Sequence, residues 1–496
     1  MDNSERTVII AGGSVAGLSL ANMLEKRGIR YVVLEAYDEI APQVGASIGL
    51  HPSALRILDQ LGCAEDLLSL IDIPLNESNV RNADVESVTE LDQGVEVRTT
   101  KGEVYRGDIL VGADGIYSTV RKEMWRIGNE TSPGYFHPDE WSKVPCSYKC
   151  IFGISHPIKT LPSGVHYVYN RNFSYLVIVG PGGRVYWFLF VELPTPLFGR
   201  QIPRYTKSDE ERLAKEHASD QITPNTRFGQ LYEAKMNSTL TPLHEYAFEK
   251  WYFNRIITIG DAAHKFEPLT GHGGNSAIGT AASLMNHLFP DECPKWNDAH
   301  ISAAFKAVQD DRFDRVSWLI KDAHETQRMQ AMATPIQAVL TPILPYFISN
   351  ETTLRLAASK FVGANHLNNI PLPQRDHTVP FNDELPAQPL SSFKWASAGL
   401  GVLSQGCLCW LSGRALRHSP VPTTFGSASL IKKWTGIQGI DSVLSVLVAA
   451  FGVPLTSPKE APLVQWLSFI PLVFSTTLDW TVQSYRAGSA GLLTSW

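Results

Sequence analysis

Cysteine is scarce in this chain, and so is charge. Six cysteines in 496 residues (Cys63, Cys146, Cys150, Cys293, Cys407, Cys409) are too few and too scattered for a disulfide framework, and none forms a C-x-x-C set with zinc spacing. A reducing, cytosol-facing compartment is therefore expected. Cys146 and Cys150, four apart, fall on one face of a strand and read as core thiols, and no metal site is read from the sequence. Charged residues make up 19%, below the roughly 25% of an average soluble chain. With 43 basic against 49 acidic residues and a net charge of −6, the basic footprint of a nucleic-acid binder is excluded. No basic segment leads into an apolar run after Met1, so neither a signal peptide nor a transit peptide is expected.

What is present is apolar. Hydrophobic residues are 44% and mean hydropathy is −0.08, which excludes disorder of the whole chain. At roughly 100–200 residues per domain, this length predicts two or three domains.

The strongest local signal lies in the first forty residues. Thr7-Val8-Ile9-Ile10-Ala11 is apolar without alternation, as in a parallel strand covered on both faces. Gly12-Gly13-Ser14-Val15-Ala16-Gly17 follows, then Leu18, Leu20, Ala21 and Leu24 at helical spacing, then a second strand Tyr31 to Leu34 ending in Glu35. This is a βαβ unit whose turn suits a pyrophosphate. Gly12 permits the bend, the backbone at Gly13 approaches the anion, Gly17 lets helix and strand pack closely, and Glu35 is placed to accept from a ribose hydroxyl. Ser14 replaces the second glycine of the G-x-G-x-x-G fingerprint. Two later strand ends carry acidic turns: Asp108 to Val111 leads into Gly112-Ala113-Asp114-Gly115 before a helix at Ser118, and Arg255 to Ile259 leads into Gly260-Asp261, with Gly271, Gly273, Gly274 and Asn275 before the next helix.

In this order the three motifs resemble the group A flavoprotein monooxygenases. Gly45 to Leu50, His51 to Gly62 and Gly115 to Arg121 are similar to the fungal FAD-dependent epoxidases of meroterpenoid and indole-diterpene pathways (paxilline-cluster type). The resemblance covers Val8 to about Leu288 and implies FAD as cofactor with NADPH as reductant. It further implies cofactor contacts from Gly49, Asp114 and Gly115, from Asp261 at the ribityl or diphosphate, and from Gly274 at the isoalloxazine edge. The implied fold is α/β: a Rossmann-like FAD-binding domain of glutathione-reductase type, as in p-hydroxybenzoate hydroxylase, with an antiparallel β substrate domain. Residues 1–130 and 250–330 are assigned to the FAD domain, 131–249 to the substrate sheet, 331–390 to a helical segment and proline-rich linker, and 391–496 to a helical, membrane-associated tail. One departure stands out. The stretch from Ile71 to Asn76 runs almost directly into Asn79 to Val85, where the family carries a longer segment with a flavin-contacting arginine. Arg81 does not match that arginine, because it opens a strand meander over 84–97.

Residues 147–192 alternate in strand fashion and are rich in aromatics, which suits a wall of an apolar site. By resemblance, a tyrosine of Tyr167-Val168-Tyr169 is a candidate catalytic residue; with Val168 between them, the two rings are expected to face opposite sides. Aromatic packing across strands is the competing reading. His264 reads as packing or hydrogen bonding near the flavin rather than as a base. The run Asp310-Asp311-Arg312-Phe313-Asp314-Arg315 reads as a solvated helix face with internal ion pairs.

Beyond Asn350 the composition shifts to a proline-rich linker over 369–390. Two uncharged runs follow: Trp395 to Leu411, seventeen residues, and Ala461 to Leu478, eighteen residues, with a shorter run Val443 to Leu455 between them. Both reach the roughly 17–25 residues that span a bilayer core, and Trp395, Trp410, Trp466 and Trp480 lie near their ends. A membrane location at the endoplasmic reticulum with the catalytic domain in the cytosol is expected; a soluble helical domain is the competing reading. By resemblance, the reaction is epoxidation of an alkene on a prenylated, lipophilic substrate by O₂ through a C4a-hydroperoxyflavin. Aromatic hydroxylation, a degenerate flavoprotein that has lost FAD, and a flavin dehydrogenase or prenyl-chain reductase remain alternatives.

Overall fold

The structure is a computed structural model that describes residues 6–38, 49–69, 80–290, 296–343, 350–375 and 379–385, with a short hairpin at Thr424–Phe425 and Ala428–Ser429. Residues 1–379 form one compact unit, and Pro380 to Trp496 are grouped separately. The uncharged runs from Trp395 and Ala461, and the short connection around Asn76, lie outside the described residues. Among the described residues, no helix is long and apolar enough to cross a membrane.

In chain order, β1 (Thr7–Ala11), α1 (Val15–Lys26), β2 (Arg30–Glu35), α2 (Pro52–Gln60), α3 (Ala64–Ser69) and β3 (Val80–Asn82) are followed by β4 (Val85–Leu91), β5 (Gly94–Thr99) and β6 (Val104–Gly107). Then come β7 (Ile109–Gly112) and α4 (Thr119–Thr131). The second layer begins with β8 (Pro145–Ser155), β9 (Gly164–Asn170), β10 (Phe173–Val179), β11 (Val185–Phe198) and α5 (Lys207–Glu216). A hairpin of β12 (Gln221–Thr223) and β13 (Thr226–Arg227) leads to α6 (Phe228–Glu233), β14 (Lys235–His244) and β15 (Tyr246–Ala247). The chain then returns through β16 (Tyr252–Phe253), β17 (Ile256–Thr258), β18 (His264–Lys265), α7 (His272–Leu288) and α8 (Asp298–Gln330).

β1 is central in a six-stranded sheet of order β16-β17-β7-β1-β2-β3, parallel to β2 and β7 on its two sides. Its lack of alternation has the expected cause: both faces are covered. Val8 and Ile10 point to the layer of α1, α7 and α8, with Leu20, Leu24, Ile278 and Phe305. Ile9 and Ala11 point the other way, to Val120 and Met124 of α4 and to Val88 and Val97 of the β4-β5-β6 meander.

The second sheet is antiparallel, of order β14-β8-β11-β10-β9. Alternation sorts its side chains into two cores. Ile151, Tyr175, Val177, Trp187 and Leu189 pack under α5 and α6. Tyr148, Cys150, Leu176, Phe188, Phe190 and Leu243 face Leu269, in the loop ahead of α7, and Ala331, just past α8. Tyr167 and Tyr169 are opposite Leu176 and Ser174 of β10, so both belong to the face that looks toward Leu269, and their ring centroids are 6.4 Å apart. The expectation that Val168 separates them onto opposite faces is wrong, because strand alternation has a period of two and returns i and i+2 to the same side. Cys146 and Cys150 are free and fully buried on β8.

The Asp310 to Arg315 run is also corrected. Arg312 is 2% exposed, and its guanidinium donates to the Ser276 carbonyl, to Thr280 Oγ1 and to Asn365 Oδ1. Arg315 donates to the Lys360 carbonyl (2.6 Å). These side chains fasten α8 to α7 and to the segment after α8 rather than pairing along one solvated face. That later segment also holds α2: the Gln60 side chain donates to the carbonyls of Leu367 and Ile370 and accepts from the Leu367 N–H, and Arg375 grips Asp59 with two bonds of 2.8 Å.

The sheet tolerates no added bulk at Gly153 on β8. A Cβ there would sit 2.3 Å from Cζ2 of Trp187, and the indole is fully buried, with its N–H donating to Ser155 Oγ, which donates to the Leu231 carbonyl. Gly153→Ala is expected to lower the unfolding free energy by about 1–3 kcal/mol through overpacking, read as a shifted urea midpoint; an unchanged midpoint would mean that Trp187 is free to move.

Candidate active site

Three strand-to-helix turns leave the C-terminal edge of the parallel sheet, from β1, β7 and β17. After β1, Gly12 has φ +106°, and a Cβ on it would lie 2.3 Å from the Ala113 carbonyl oxygen. A Cβ on Gly17 would lie 1.9 Å from the Gly12 oxygen. Both positions are closed to any side chain, so α1 sits directly on the turn. Glu35, at the end of β2, accepts from the N–H of Gly13 (2.6 Å) and of Tyr37 (3.0 Å), which ties the two halves of the βαβ unit together. Ser14, the residue ahead of α1, makes no side-chain cap, and no acid stands in the first turn.

The β7 turn is different. The Asp114 carboxylate accepts from Ser118 Oγ (2.6 Å) and from the N–H groups of Thr119 (2.7 Å) and Val120 (3.1 Å), and Ser118 Oγ in turn accepts from the Arg121 N–H. The N-terminus of α4 is thereby occupied by its own acid. Asp114 shapes the turn, and Gly115 beyond it has φ +77° with open space around it. Arg121 then reaches across to the third turn. Its buried guanidinium donates to the carbonyls of Ala262 (2.8 Å) and Ile116 (2.7 Å) and lies 4.6 Å from the Phe248 ring centroid.

At the β17 turn, Gly260 has φ +59°, the Asp261 carboxylate pairs with Lys265, and the Asp261 carbonyl accepts from the Tyr246 hydroxyl (2.6 Å). The chain enters α7 through Gly271 at φ +67°, again with no side-chain cap and no acid in the first turn, where Gly274 lies. Asn275 laces this helix to the loop ahead of α2. It donates to the carbonyls of Gly49 (2.8 Å) and Gly271 (2.6 Å) and accepts from the His51 N–H (2.7 Å). His51 and His272 meet edge-on at 5.0 Å. Burial and the nearby Lys360 lower His51 to about 4, and burial with neighbouring positive groups lowers His272 to about 3, so both rings are neutral at physiological pH. His264 is fully buried with Nε2 3.1 Å from Thr280 Oγ1, a packed position with no access for a base.

Of the three helix N-termini, α4 is filled by protein, whereas α1 and α7 present their first-turn N–H groups without a side-chain cap. Uncapped N-termini attract anionic or acceptor groups. The α1 turn, with its two closed glycine positions and Glu35 at the next strand end, fits the diphosphate and ribose of a dinucleotide. The comparisons agree. A family model described as an FAD binding domain matches residues 5–76 and 77–290. The FAD-dependent monooxygenase asqG of Emericella nidulans is 31% identical, over 84% of each chain, and spyC of Aspergillus fumigatus is 35% identical, over 75% of this chain and 89% of its own. The chain belongs to the FAD-dependent monooxygenases.

Its fold is that of solved flavoproteins. Klebsiella pneumoniae HpxO, crystallised with FAD and uric acid, superposes with a TM-score of 0.57 at 20% identity, covering 73% of this chain and 97% of HpxO. The tetracycline destructase Tet(51) superposes at 0.53 with 14% identity, covering 75% of this chain and 99% of its own. FAD is therefore the cofactor of this monooxygenase, with NADPH the reductant typical of the family. The family match breaks between Asn76 and Glu77, where the sequence shows a shortened connection. The alignment with asqG runs over 479 residues while using 84% of this chain, so the relative carries residues that this one lacks.

The structure gathers Gly12, Gly13, Gly17 and Glu35 at the α1 turn and Gly49, Asp261 and Gly274 around the N-terminus of α7. Asp114 and Gly115 lie at the turn between them, while Tyr167 and Tyr169 lie on the sheet opposite the loop ahead of α7. Sequence reasoning missed what holds these turns together, namely Asn275, His51, His272, Arg121 and Tyr246. Asn275 directly follows Gly271, Gly273 and Gly274, and its side-chain amide beside these three glycines was the available signal. Arg121 carried none, since nothing local marks an arginine as buried.

Gly17→Ala is expected to abolish FAD retention while leaving the β8–β11 sheet folded, measured as flavin absorbance per chain against circular dichroism; full flavin content would show that α1 can recede. The buried imidazoles set a pH trend. The folded-state pKa of His264 and of His272, each lowered to about 3, lies below the unfolded value near 6.5. Their stability contribution is thus complete above pH 6.5 and falls by about 1.4 kcal/mol per pH unit for each ring as pH drops toward 3. Glu267, pushed upward by burial, works in the opposite sense at acid pH. His264→Gln is expected to flatten the loss between pH 6.5 and 5, measured by urea unfolding at each pH; an unchanged slope would place the proton uptake elsewhere.

Proposed function

We propose that this monooxygenase epoxidises an alkene of a prenylated meroterpenoid or diterpenoid intermediate in fungal secondary metabolism. The observation that carries the reading is the pair Tyr167 and Tyr169, which extend the apolar sheet face of Leu176, Phe188 and Phe190 beyond its packing on Leu269, in the loop that leads into the uncapped N-terminus of α7. Such a face suits a large apolar substrate and offers it aromatic packing. The similarity to FAD-dependent monooxygenases of Emericella variicolor (andE) and Penicillium brasilianum (ausM) supports the same class of chemistry.

Bound FAD, once reduced, supplies an electrophilic oxygen taken from O₂. The protein's part is positional. Asn275 holds the Gly49 to His51 loop against α7, Arg121 fixes the Gly260 to Ala262 turn to Ile116, and the neutral rings of His51 and His272 fill the space beside α7 without adding charge. The apolar sheet face orients the alkene and keeps water away from the reacting oxygen. Tyr167 and Tyr169, on one face, are proposed to line the substrate together. The uncharged runs from Trp395 and Ala461 are proposed to attach the protein to the endoplasmic reticulum with this site in the cytosol, which suits a lipophilic substrate.

A protein extracted with FAD present is expected to show an oxidised flavin spectrum that bleaches with NADPH under nitrogen. Supplied with O₂ and prenylated substrates, it is expected to add one oxygen in a product that acid opens to a diol. A phenolic product stable to acid would favour aromatic hydroxylation instead, and a folded but colourless protein would sink the enzyme reading and point to the break at Asn76–Glu77.

A further inference from the structure

Two carboxyl groups are buried at the seam between the second sheet, the loop ahead of α7 and the far end of α8. Glu245 lies between β14 and β15 and is 5% exposed; Glu267 lies between β18 and Pro268 and is fully buried. Among the described residues, both oxygens of Glu267 and Oε1 of Glu245 have no hydrogen-bond partner. The remaining oxygen, Glu245 Oε2, is 2.8 Å from Nδ1 of His324 on α8. One ligand atom from each of Glu245, Glu267 and His324 lies within 4.8 Å of the other two. A further buried group borders the cluster: Tyr148 of β8 is fully buried, its hydroxyl has no partner among the described residues, and its ring is 6.4 Å from that of His324.

We infer that Glu245, Glu267 and His324 form a binding site for a single divalent first-row cation of the zinc type.

Orphaned carboxylate oxygens in the interior are costly, and here three of four are orphaned. Protonating one carboxyl removes a charge, but one proton cannot serve three oxygens. A dication neutralises both carboxylates and draws an oxygen from each. Two buried carboxylates and an imidazole in a compact cluster match the borderline N/O donor preference and low coordination number of zinc better than the six to eight oxygens that calcium needs. Arg328 of α8 is paired with Glu325. Cys146 and Cys150 are not ligands in this arrangement. Burial, with Glu267 adding to it, pushes Cys146 up to about 12 and Cys150 upward as well, and Cys146 Sγ donates to the Tyr148 carbonyl. The ion would pin the loop that starts α7 to both the sheet and α8, a role that is structural rather than redox.

The site does not depend on the flavin, so a colourless protein with one tightly held zinc would uphold it while the proposed function failed. Tag-free full-length protein, stripped with EDTA, is titrated with Zn²⁺ and separately with Mn²⁺ against a chromophoric chelator. Bound metal is then counted by mass spectrometry. One equivalent of zinc per chain is expected, with a thermal midpoint that rises on zinc addition. At least tenfold weaker binding is expected in Glu267→Gln and in His324→Ala, with circular dichroism unchanged. His324 is partly exposed, so its variant decides the matter if Glu267→Gln fails to fold. Zinc held no more tightly by wild type than by His324→Ala, or a stripped protein whose midpoint zinc does not move, would overturn the site and leave the two carboxyls sharing a proton.

Discussion

Every helix that follows a strand of the parallel sheet starts with N–H groups that need acceptors, and three such helices converge on one sheet edge. The chain solves the problem for α4 from within, through Asp114 and Ser118. It leaves α1 and α7 uncapped, each entered through glycine. That unequal treatment makes a cofactor site out of a sheet edge. Had Ser14 or Gly271 been an aspartate engaged as Asp114 is, the anion-seeking ends would be satisfied and the turns would read as structural.

Around this edge, long-range polar ties add to the apolar packing. Asn275 joins residues more than two hundred positions apart through Gly49 and His51, and Arg121 spans from α4 to Ala262. Gln60 and Arg312 then bind α2 and α8 to the segment after Lys360. Each of these side chains is buried or partly so and bonded to backbone carbonyls or amides, which are weakened little by salt and cannot move away independently. The loops of the site are therefore fixed by specific hydrogen bonds as well as by the core beneath them.

The second sheet shows how one alternating strand pattern serves two ends. The Trp187 face is closed by α5 and α6, with its indole locked to Ser155, and works as a core. The Phe188 and Phe190 face is turned to the flavin-binding part through Leu269, and the buried carboxyls of Glu245 and Glu267 gather beside it. An apolar sheet face and a concentrated polar cluster thus share one seam, contributed by elements that are remote in sequence.

Local features were legible from the residues alone: the unalternating β1 strand, the closed glycines at 12 and 17, the acid at the end of β2, the order of the three turn motifs and the meander over 84–97, although Arg81, read as its opening residue, belongs to β3 of the parallel sheet. Each depends on steric or periodic rules that act within about twenty residues. The shared face of Tyr167 and Tyr169 was equally local and was misread, because a strand returns to the same side every second residue. What only the tertiary structure decided was the environment of charged and polar groups: Arg312 buried against Ser276 rather than solvated, Asp114 consumed by its own helix, and Glu245, Glu267 and His324 brought together. A charge takes its meaning from what surrounds it, and those surroundings come from distant segments whose meeting no spacing along the chain records.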